Sequence, residues 1–250
     1  MNNKQIRLVL PGKANKDQKG GETMLVKNWM SKEVISIDVN DSMTNATKKL
    51  KERDIRMLPV MKQGKLVGVI TDRDLKKASA SNANTLEIHE LLYVLSKIKV
   101  DDIMTKVPIT VPPDYTIGET ADLLLENKIS GVPVIDNEGQ ISGVITKADI
   151  FRAIISLTGL KKKGVQFAFE LEDRSGSINE VADIIRNYGG KMACILTSYD
   201  RVRKGHRKVY IRTYGIDRPK LQQLKEKLKE ESVLLYMVDF RENEREIYAF

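Results

Sequence analysis

GVITDRDL at residues 68–75 and GVITKADI at residues 143–150 are two copies of one stretch, and they decide the fold. The copies lie 75 residues apart, and each has an aspartate three residues after the threonine of its Gly-Val-Ile-Thr run. Self-similarity at a fixed spacing is the signature of an architecture that is built from one repeated unit.

The similarity continues upstream of these stretches. At an offset of 74 residues the equivalent pairs are Met30 and Met104, Leu50 and Leu124, and Pro59 and Pro133. The offset becomes 75 at Gly64 and Gly139, so the second copy has one residue more than the first in a turn between two strands, where insertions are tolerated. Each copy is therefore predicted to contain strands, a helix and a tight turn in the same order.

The chemistry of the repeated stretch points to a nucleotide. The β-branched pair before each threonine favours a short buried strand, and the aspartate then falls in the first turn of a helix, whose free N–H groups attract phosphate. A carboxylate at this place can accept hydrogen bonds from ribose hydroxyls. The alternative is a simple helix cap. We reason that a cap has no need of the aspartate, so two copies favour the nucleotide interpretation.

The ordered set of motifs resembles the tandem cystathionine-β-synthase (CBS) domain module. It comprises M-(S/T)-K at 30–32 and 104–106, RMLPV at 56–60, SGVPV at 130–134, and the GVITxxD pair. The resemblance covers about residues 25–158. It implies an α/β (α+β) fold of two βαββα units around a pseudo-twofold axis. It also implies up to two clefts for an adenosyl ligand, such as AMP, ADP, ATP, a cyclic dinucleotide or S-adenosylmethionine.

The same resemblance places ten residues in the two clefts. One cleft would combine Thr146 and Asp149 with Lys32, Ile55 and Arg56. The other would combine Thr71 and Asp74 with Lys106, Ile129 and Ser130. The aspartates would hold ribose hydroxyls, and the threonines would meet phosphate or ribose. Arg56 could bind phosphate bidentately, whereas Ser130 stands at the equivalent position, so the two sites are expected to differ in affinity. The alternative for Arg56 is an exposed charge at a helix end.

Composition argues against a nucleic-acid-binding, membrane-spanning or secreted protein. The net charge is +8, but residues 24–159 are neutral, with 18 basic and 18 acidic side chains, so a specific nucleic-acid interface is not favoured. No apolar run approaches the length of a membrane span, and the N-terminus lacks a signal-peptide pattern. Cys194 is the only cysteine, which excludes an intrachain disulfide and fits a reducing cytoplasm.

No catalytic or metal constellation is visible in the sequence. The two histidines, His89 and His206, fall in different predicted domains and leave little for general base chemistry or metal binding. We therefore predict a non-catalytic protein that needs no cofactor and works by binding, with an adenine nucleotide or S-adenosylmethionine as regulatory ligand and an unidentified effector protein as partner.

The C-terminal part has a different pattern, with the predicted order βαββαβ. D-R-S-G-S-I at 173–178 is similar to the ligand loop of the ACT domain family, although Ser175 replaces a proline. The resemblance implies a ferredoxin-like ACT domain whose loop, with Asp173, Ser175, Gly176 and Ser177, meets an amino acid at a domain interface. The alternative is a tight turn that needs Gly176. Ser177 and Glu180 are predicted to form a capping box.

The predicted domains are a flexible tail at 1–23, CBS repeats at 24–97 and 98–159, and the ACT-like domain at 165–250. Strands are also predicted at 34–39 and 109–111, and a helix that carries His89 begins near Asn84. This combination resembles accessory proteins of acetoin utilisation in bacteria. A homodimer through both parts is expected from closed twofold symmetry. A dimerisation scaffold with degenerate sites and an ACT-based amino-acid sensor remain alternatives.

Overall fold

The computed structural model describes residues 23–82 and 97–248. Residues 1–22 of the tail predicted at 1–23 and the predicted helix with His89 lie outside the described residues. The chain divides into two compact units, Met1–Ala153 and Ile154–Phe250. The boundary between them falls within the helix that follows the second GVITxxD stretch.

Repeat one has the predicted β-α-β-β-α order. After a short helix α1 (Val26–Trp29) come β1 (Ile37–Asp38), α2 (Met43–Glu52), β2 (Met57–Lys62), β3 (Lys65–Thr71) and α3 (Asp72–Asn82). Helix α2 begins at its cap Ser42, whose hydroxyl accepts from Asn45 N–H at 3.1 Å. It buries Met43, Ala46 and Leu50, the predicted inner face. The β2–β3 turn has positive φ at both central residues, as hairpin turns with a right-handed strand twist require.

Repeat two follows the same plan. It contains α4 (Val100–Ile103), β4 (Thr105–Lys106), α5 (Ile117–Glu126), β5 (Gly131–Ile135), β6 (Ile141–Thr146) and α6 (Lys147–Leu157). The predicted capping box at the start of α5 is confirmed, since Thr116 Oγ1 accepts from Glu119 N–H at 3.1 Å and Glu119 Oε2 accepts from Thr116 N–H at 2.8 Å. Leu124, Val134 and Ile145 are fully buried, and each contributes about 1.5–3 kcal/mol.

The two leading segments, residues 24–32 and 98–106, are exchanged between the repeats. Residues 24–32 bond to repeat two, and residues 98–106 bond to repeat one. Equivalent backbone bonds run from Val26 N–H to Tyr115 O (2.8 Å) and from Val100 N–H to Asp41 O (2.9 Å), and from Ile117 N–H to Met24 O (2.8 Å) and from Met43 N–H to Ile98 O (2.8 Å). This reciprocity is what a pseudo-twofold relation between the repeats requires.

The exchange extends into the cores and the sheets. The core of repeat one includes Val100, with Met104 packed against it, and the core of repeat two includes Val26, with Met30 packed against it. Strand β4, which the sequence analysis did not predict, completes the sheet of repeat one in the order β1-β2-β3-β4, and β5-β6 form the second sheet. Each repeat is therefore completed by the leading segment of the other repeat.

Two predicted strands are shorter than expected. The predicted strand at 34–39 is reduced to the two residues of β1, which pairs in parallel with β2 through Ile37 and Val60. The predicted strand at 109–111 is wrong, because only Val111 forms a bridge, to Val134. These two pairings are equivalent by the 74-residue offset.

The C-terminal unit contains β7 (Val165–Glu172), α7 (Ser177–Asn187), β8 (Lys191–Ser198), β9 (His206–Tyr214), α8 (Leu221–Glu231), β10 (Val233–Asp239) and β11 (Glu244–Ile247). The order β-α-β-β-α-β is confirmed, with β11 as an unpredicted addition. The sheet order is β11-β10-β7-β9-β8, and all neighbouring strands are antiparallel. One face of this sheet packs Phe167, Phe169 and Ile211 against both helices.

Candidate functional site

The Thr71–Asp74 pair stands where β3 becomes α3. Asp74 Oδ2 accepts from Thr71 N–H at 2.9 Å and from Thr71 Oγ1 at 2.6 Å, and Asp74 N–H reaches back to Thr71 Oγ1 at 3.3 Å. Oδ1 of Asp74 accepts no hydrogen bond from any described residue. The pair therefore fixes the aspartate in one orientation and leaves one carboxylate oxygen available.

The Thr146–Asp149 pair repeats this geometry at the β6–α6 junction. Asp149 Oδ2 accepts from Thr146 N–H at 2.8 Å and from Thr146 Oγ1 at 2.6 Å. The second oxygen differs from that of Asp74, because Arg152 donates to Asp149 Oδ1. Asp149 is 2% exposed, whereas Asp74 is half-buried. The two Thr–Asp pairs thus share one geometry, but the second carboxylate oxygen is bonded to an arginine in Asp149 and, among the described residues, unbonded in Asp74.

The expectation that a helix cap has no need of the aspartate is wrong. The aspartate three residues after the threonine does have a use in a cap, since both pairs form the reciprocal bonds of a capping box, with Asp in place of the usual Glu or Gln. Repetition of Thr-x-x-Asp alone therefore does not separate capping from ligand binding. Capping uses only Oδ2 of Asp74, so its Oδ1 remains available to a ligand.

The leading segments bring Lys32 and Lys106 to the expected strands. Ser31 and Val144 exchange backbone bonds of 2.9 and 3.0 Å, which places the Lys32 segment beside β6. Lys106 pairs with Gly68 of β3, and its Nζ lies 3.3 Å from Asp101 Oδ1. Lys32 makes no ion pair with a described residue. The predicted grouping of Lys32 with Thr146, and of Lys106 with Thr71, stays a prediction.

Glycines let the leading segments approach. A Cβ on Gly143 would lie 2.5 Å from Met30 Sδ and 2.9 Å from Ser31 O, and a Cβ on Gly68 would lie 2.6 Å from Met104 Sδ. Neither position can carry a side chain without movement of the opposing segment. The glycine of each GVIT stretch is therefore required by close packing beside the site.

The backbone bonds of Arg56 and Ser130 show where the Ile55–Arg56 and Ile129–Ser130 segments lie. Asp72 N–H donates to Arg56 O at 3.2 Å, and Lys147 N–H donates to Ser130 O at 2.9 Å, so each segment adjoins the Thr–Asp pair of its own repeat. The predicted clefts combine these segments with the Thr–Asp pair of the other repeat, and no contact among the described residues tests that combination. Hairpin pairing explains this placement, because Met57 and Gly131, the next residues, are in register with Thr71 and Thr146.

Charge near the two pairs differs. The Arg56 side chain is exposed and makes no ion pair with a described residue, while Ser130 offers only a hydroxyl. On α6 the residue that approaches the pair is Arg152, which the sequence analysis missed. Its position three residues after Asp149 places it on the same helix face, and this spacing was the available signal.

The loop at 173–177 holds its residues together by internal bonds. Ser177 Oγ donates to Arg174 O at 3.1 Å and accepts from Arg207 Nη2 at 3.0 Å. Asp173 Oδ1 lies 3.4 Å from Arg207 Nη1. Ser175 and Gly176 are exposed, and Gly176 has φ of +88°, which favours glycine. The N–H groups of these two residues have no acceptor among the described residues.

The predicted capping box of Ser177 with Glu180 is wrong. Ser177 is the first residue of α7, and the cap position is occupied by Gly176. Glu180 instead pairs with the Arg174 guanidinium through two bonds of 2.7 Å, which lower its pKa. A capping box needs the serine at the cap position. The positive φ of Gly176 places the cap at Gly176, one residue before Ser177.

No cluster of three or more His, Cys, Asp or Glu able to hold a metal occurs within residues 23–82 and 97–248. The helices of this part of the chain are too short or too polar to cross a membrane.

Comparison with known proteins assigns the N-terminal unit. The CBS domain family model matches residues 26–81 and 100–156. The uncharacterised protein MJ1426 of Methanocaldococcus jannaschii is 32% identical over 164 residues, 56% of this chain and 97% of that protein. A CBS domain-containing protein of Dictyostelium discoideum is 33% identical over 135 residues, 54% of this chain and 93% of that protein.

A solved structure is also similar, that of the CBS domain pair of protein MJ0100 in complex with 5′-methylthioadenosine and S-adenosyl-L-methionine. The similarity covers 52% of this chain and 98% of that chain, at 35% identity and a TM-score of 0.45. The family match, the identity over nearly the whole of two relatives and the duplicated geometry lead to one conclusion. The chain belongs to the CBS domain family, with two CBS domains in tandem.

Proposed function

We propose that this protein is a non-catalytic, ligand-sensing regulator of the cytoplasm that binds an adenosyl ligand at its CBS pair. The observation that carries the proposal is the Asp74 carboxylate. It is oriented by Thr71 through one oxygen, while Oδ1 stays available to a ligand. A fixed carboxylate at a helix N-terminus suits ribose hydroxyls with phosphate nearby. AMP, ADP, ATP, cyclic dinucleotides and S-adenosylmethionine are the ligand class that family membership suggests.

The two sites are expected to prefer different ligands. At the Thr71–Asp74 site the exposed Arg56 guanidinium can bind phosphate, so this site should favour a phosphorylated nucleotide. At the Thr146–Asp149 site Ser130 replaces the arginine, and Arg152 must leave Asp149 Oδ1 before a ribose can bind there. We therefore expect Asp74 to be occupied first and the Asp149 site to bind more weakly.

The C-terminal unit is proposed to be an ACT-like domain that relays binding to a partner. Counting its strands in chain order, the first four are arranged 4-1-3-2, which is the ferredoxin-like arrangement, and this supports the proposal. The exposed N–H groups of Ser175 and Gly176 are suited to a carboxylate of an amino acid. A homodimer and an effector protein complete the proposed mechanism. The ligand must bind two states with different affinity for such a relay to work.

The test is binding of AMP, ADP, ATP, S-adenosylmethionine and the common amino acids to the full chain, measured by thermal shift and calorimetry. A ligand at about 100 times its dissociation constant should add about 2.7 kcal/mol to the free energy of unfolding. Asp74→Asn should abolish the tighter binding event. Glu119→Gln is the matched control, because it weakens a capping box of the same kind at helix α5, which carries none of the residues proposed for the clefts.

Each outcome discriminates between the candidate functions. Binding that Asp74→Asn removes and Glu119→Gln keeps supports the sensor. Stabilisation only by amino acids would favour an ACT-based sensor, and no stabilisation by any of these ligands would favour a dimerisation scaffold.

A further inference from the structure

Arg212 of strand β9 is buried in the C-terminal unit and has no acidic partner among the described residues. Only 5% of it is exposed. Its Nη2 donates to Gln166 Oε1 at 2.6 Å, and its guanidinium carbon lies 4.1 Å from the centre of the Phe240 ring. Its Nε and Nη1 are buried and have no acceptor among the described residues. Buried, unpaired donors on a charged group are costly and rare, so they call for a physical reason.

A cavity adjoins this guanidinium. It is lined by Thr158, Gln166, Cys194, Leu196, Tyr210 and Arg212. Its volume is about 80 Å³, whereas one water needs about 10–15 Å³ on the same measure. Since side chains alternate along a strand, Gln166 and Arg212 lie on the sheet face opposite Phe167 and Ile211, which pack on the helices. Gln166 stands near the start of β7, and the loop at 173–177 follows the other end of that strand.

Nothing within the cavity neutralises the guanidinium. None of its lining residues is acidic. Burial raises the pKa of the Cys194 thiol, and although Arg212 acts in the opposite direction, the pKa stays above its usual value. The thiol is therefore protonated at neutral pH and is not a counter-ion. Gln166 Nε2 donates to Tyr236 Oη at 2.8 Å, so this amide is turned with its oxygen toward Arg212 and leaves Nε and Nη1 unpaired.

We propose that Arg212 binds the carboxylate of a small organic acid in this cavity. The guanidinium supplies charge and donors, and the Thr158 hydroxyl, whose proton goes to Ile155 O, can accept from a hydroxyl of the ligand. Leu196, Cys194 and the Tyr210 ring form an apolar wall for a short carbon chain. Space for several waters corresponds to an acid of about two to four carbons. A phosphate dianion is a poorer fit, because Arg212 is the only cation of the lining residues.

This proposal is independent of the adenosyl sites, and Cys194 allows a local test. It is the only cysteine of the chain, so alkylation by neutral iodoacetamide, followed by mass spectrometry of the full chain, reports on this cavity. Acetate, lactate and butyrate are the probes, acetamide is the uncharged control, and inorganic phosphate is the competing anion. A carboxylate at about ten times its dissociation constant should slow alkylation roughly tenfold.

Three variants separate binding from misfolding. Arg212→Met should fold, because an apolar chain of similar length replaces a buried unpaired charge, and the carboxylates should no longer slow alkylation. Leu196→Phe keeps Arg212 and fills the cavity from a strand position that is partly exposed, so it should also remove protection. Arg245→Met makes the same exchange at an exposed arginine and should retain it.

The proposal is overturned if none of the carboxylates protects Cys194 in the native chain. It is equally overturned if protection persists in folded Arg212→Met or Leu196→Phe, or if acetamide or phosphate protects as well as the carboxylates do.

Discussion

Gly143→Ala tests whether the exchanged leading segments hold the CBS pair together. The new methyl group would lie 2.5 Å from Met30 Sδ and 2.9 Å from Ser31 O. The methionine can move, but the carbonyl belongs to the backbone that pairs with Val144. The segment must therefore shift away from β6, and the two Ser31–Val144 bonds lengthen or break.

The expected loss follows from two contributions. Overpacking costs about 1–3 kcal/mol, and two weakened backbone bonds cost about 0.5–1.5 kcal/mol each. Because movement of the segment relieves part of the overpacking, we expect a total of about 2–4 kcal/mol. At about 2–4 °C per kcal/mol, the melting temperature should fall by roughly 4–16 °C. Gly68→Ala should behave alike, since its methyl group would lie 2.8 Å from Thr105 O.

The assay is urea denaturation followed by the fluorescence of Trp29. This is the single tryptophan, and it packs with the core of repeat two from within the leading segment. Gly118→Ala is the matched control. Its methyl group would have one neighbour, Thr116 Oγ1 at 3.9 Å, and lies in helix α5, so it should stabilise by about 0.4–1 kcal/mol. Equal free energies of unfolding for Gly143→Ala and Gly118→Ala would refute the reasoning.

Three further predictions concern charges and the thiol. Glu119→Gln should lower the free energy of unfolding by about 1 kcal/mol. Because the bonds from Thr116 lower the pKa of Glu119, the native cap should stabilise the fold above the unfolded pKa near 4.3 and lose this effect as the pH falls through the folded pKa. Urea denaturation at a series of pH values measures this. Asp239→Asn should lower the free energy of unfolding by about 1–3 kcal/mol. Burial raises the pKa of Asp239, but bonds from Arg218 and two backbone N–H groups lower it overall, so its contribution to stability should persist above about pH 3.9 and vanish as the pH falls further. A free energy of unfolding that the substitution leaves unchanged would contradict this. Because burial raises the pKa of Cys194, the midpoint of its alkylation rate as a function of pH should lie above 8.5, the usual thiol value, and a midpoint at or below 8.5 would contradict this.

The repeated fold was predictable because its signals are local. Alternating and β-branched runs gave β2, β3, β5 and β6, and cap residues such as Ser42 and Thr116 marked the helix starts. The β-α-β-β-α-β order of the C-terminal unit followed from the same signals. The family resemblance supplied the expectation of two clefts, and the Lys32 and Lys106 segments lie beside the expected strands.

The remaining features depend on contacts between residues far apart in the chain. Strand β4 has two residues and exists only because β3 is beside it, so no periodicity marks it. The bond of Arg152 to Asp149 depends on a rotamer, and the partners of Ile55 and Ser130 depend on hairpin register. The serine after Gly176 resembled a cap because the positive φ that sets the cap one residue earlier is invisible in the sequence.

The exchange of leading segments has a consequence for the order in which the chain folds during synthesis. Repeat one cannot complete its core when its last helix emerges from the ribosome, since Val100 and Met104 follow some twenty residues later. Val26 and Met30 in turn must wait for β6, more than one hundred residues downstream. Such closures are slow, because the entropy of a long loop is lost before the contacts form. The nascent first repeat therefore exposes unsatisfied apolar surface until nearly the whole pair has been made, which makes it a natural client for chaperones.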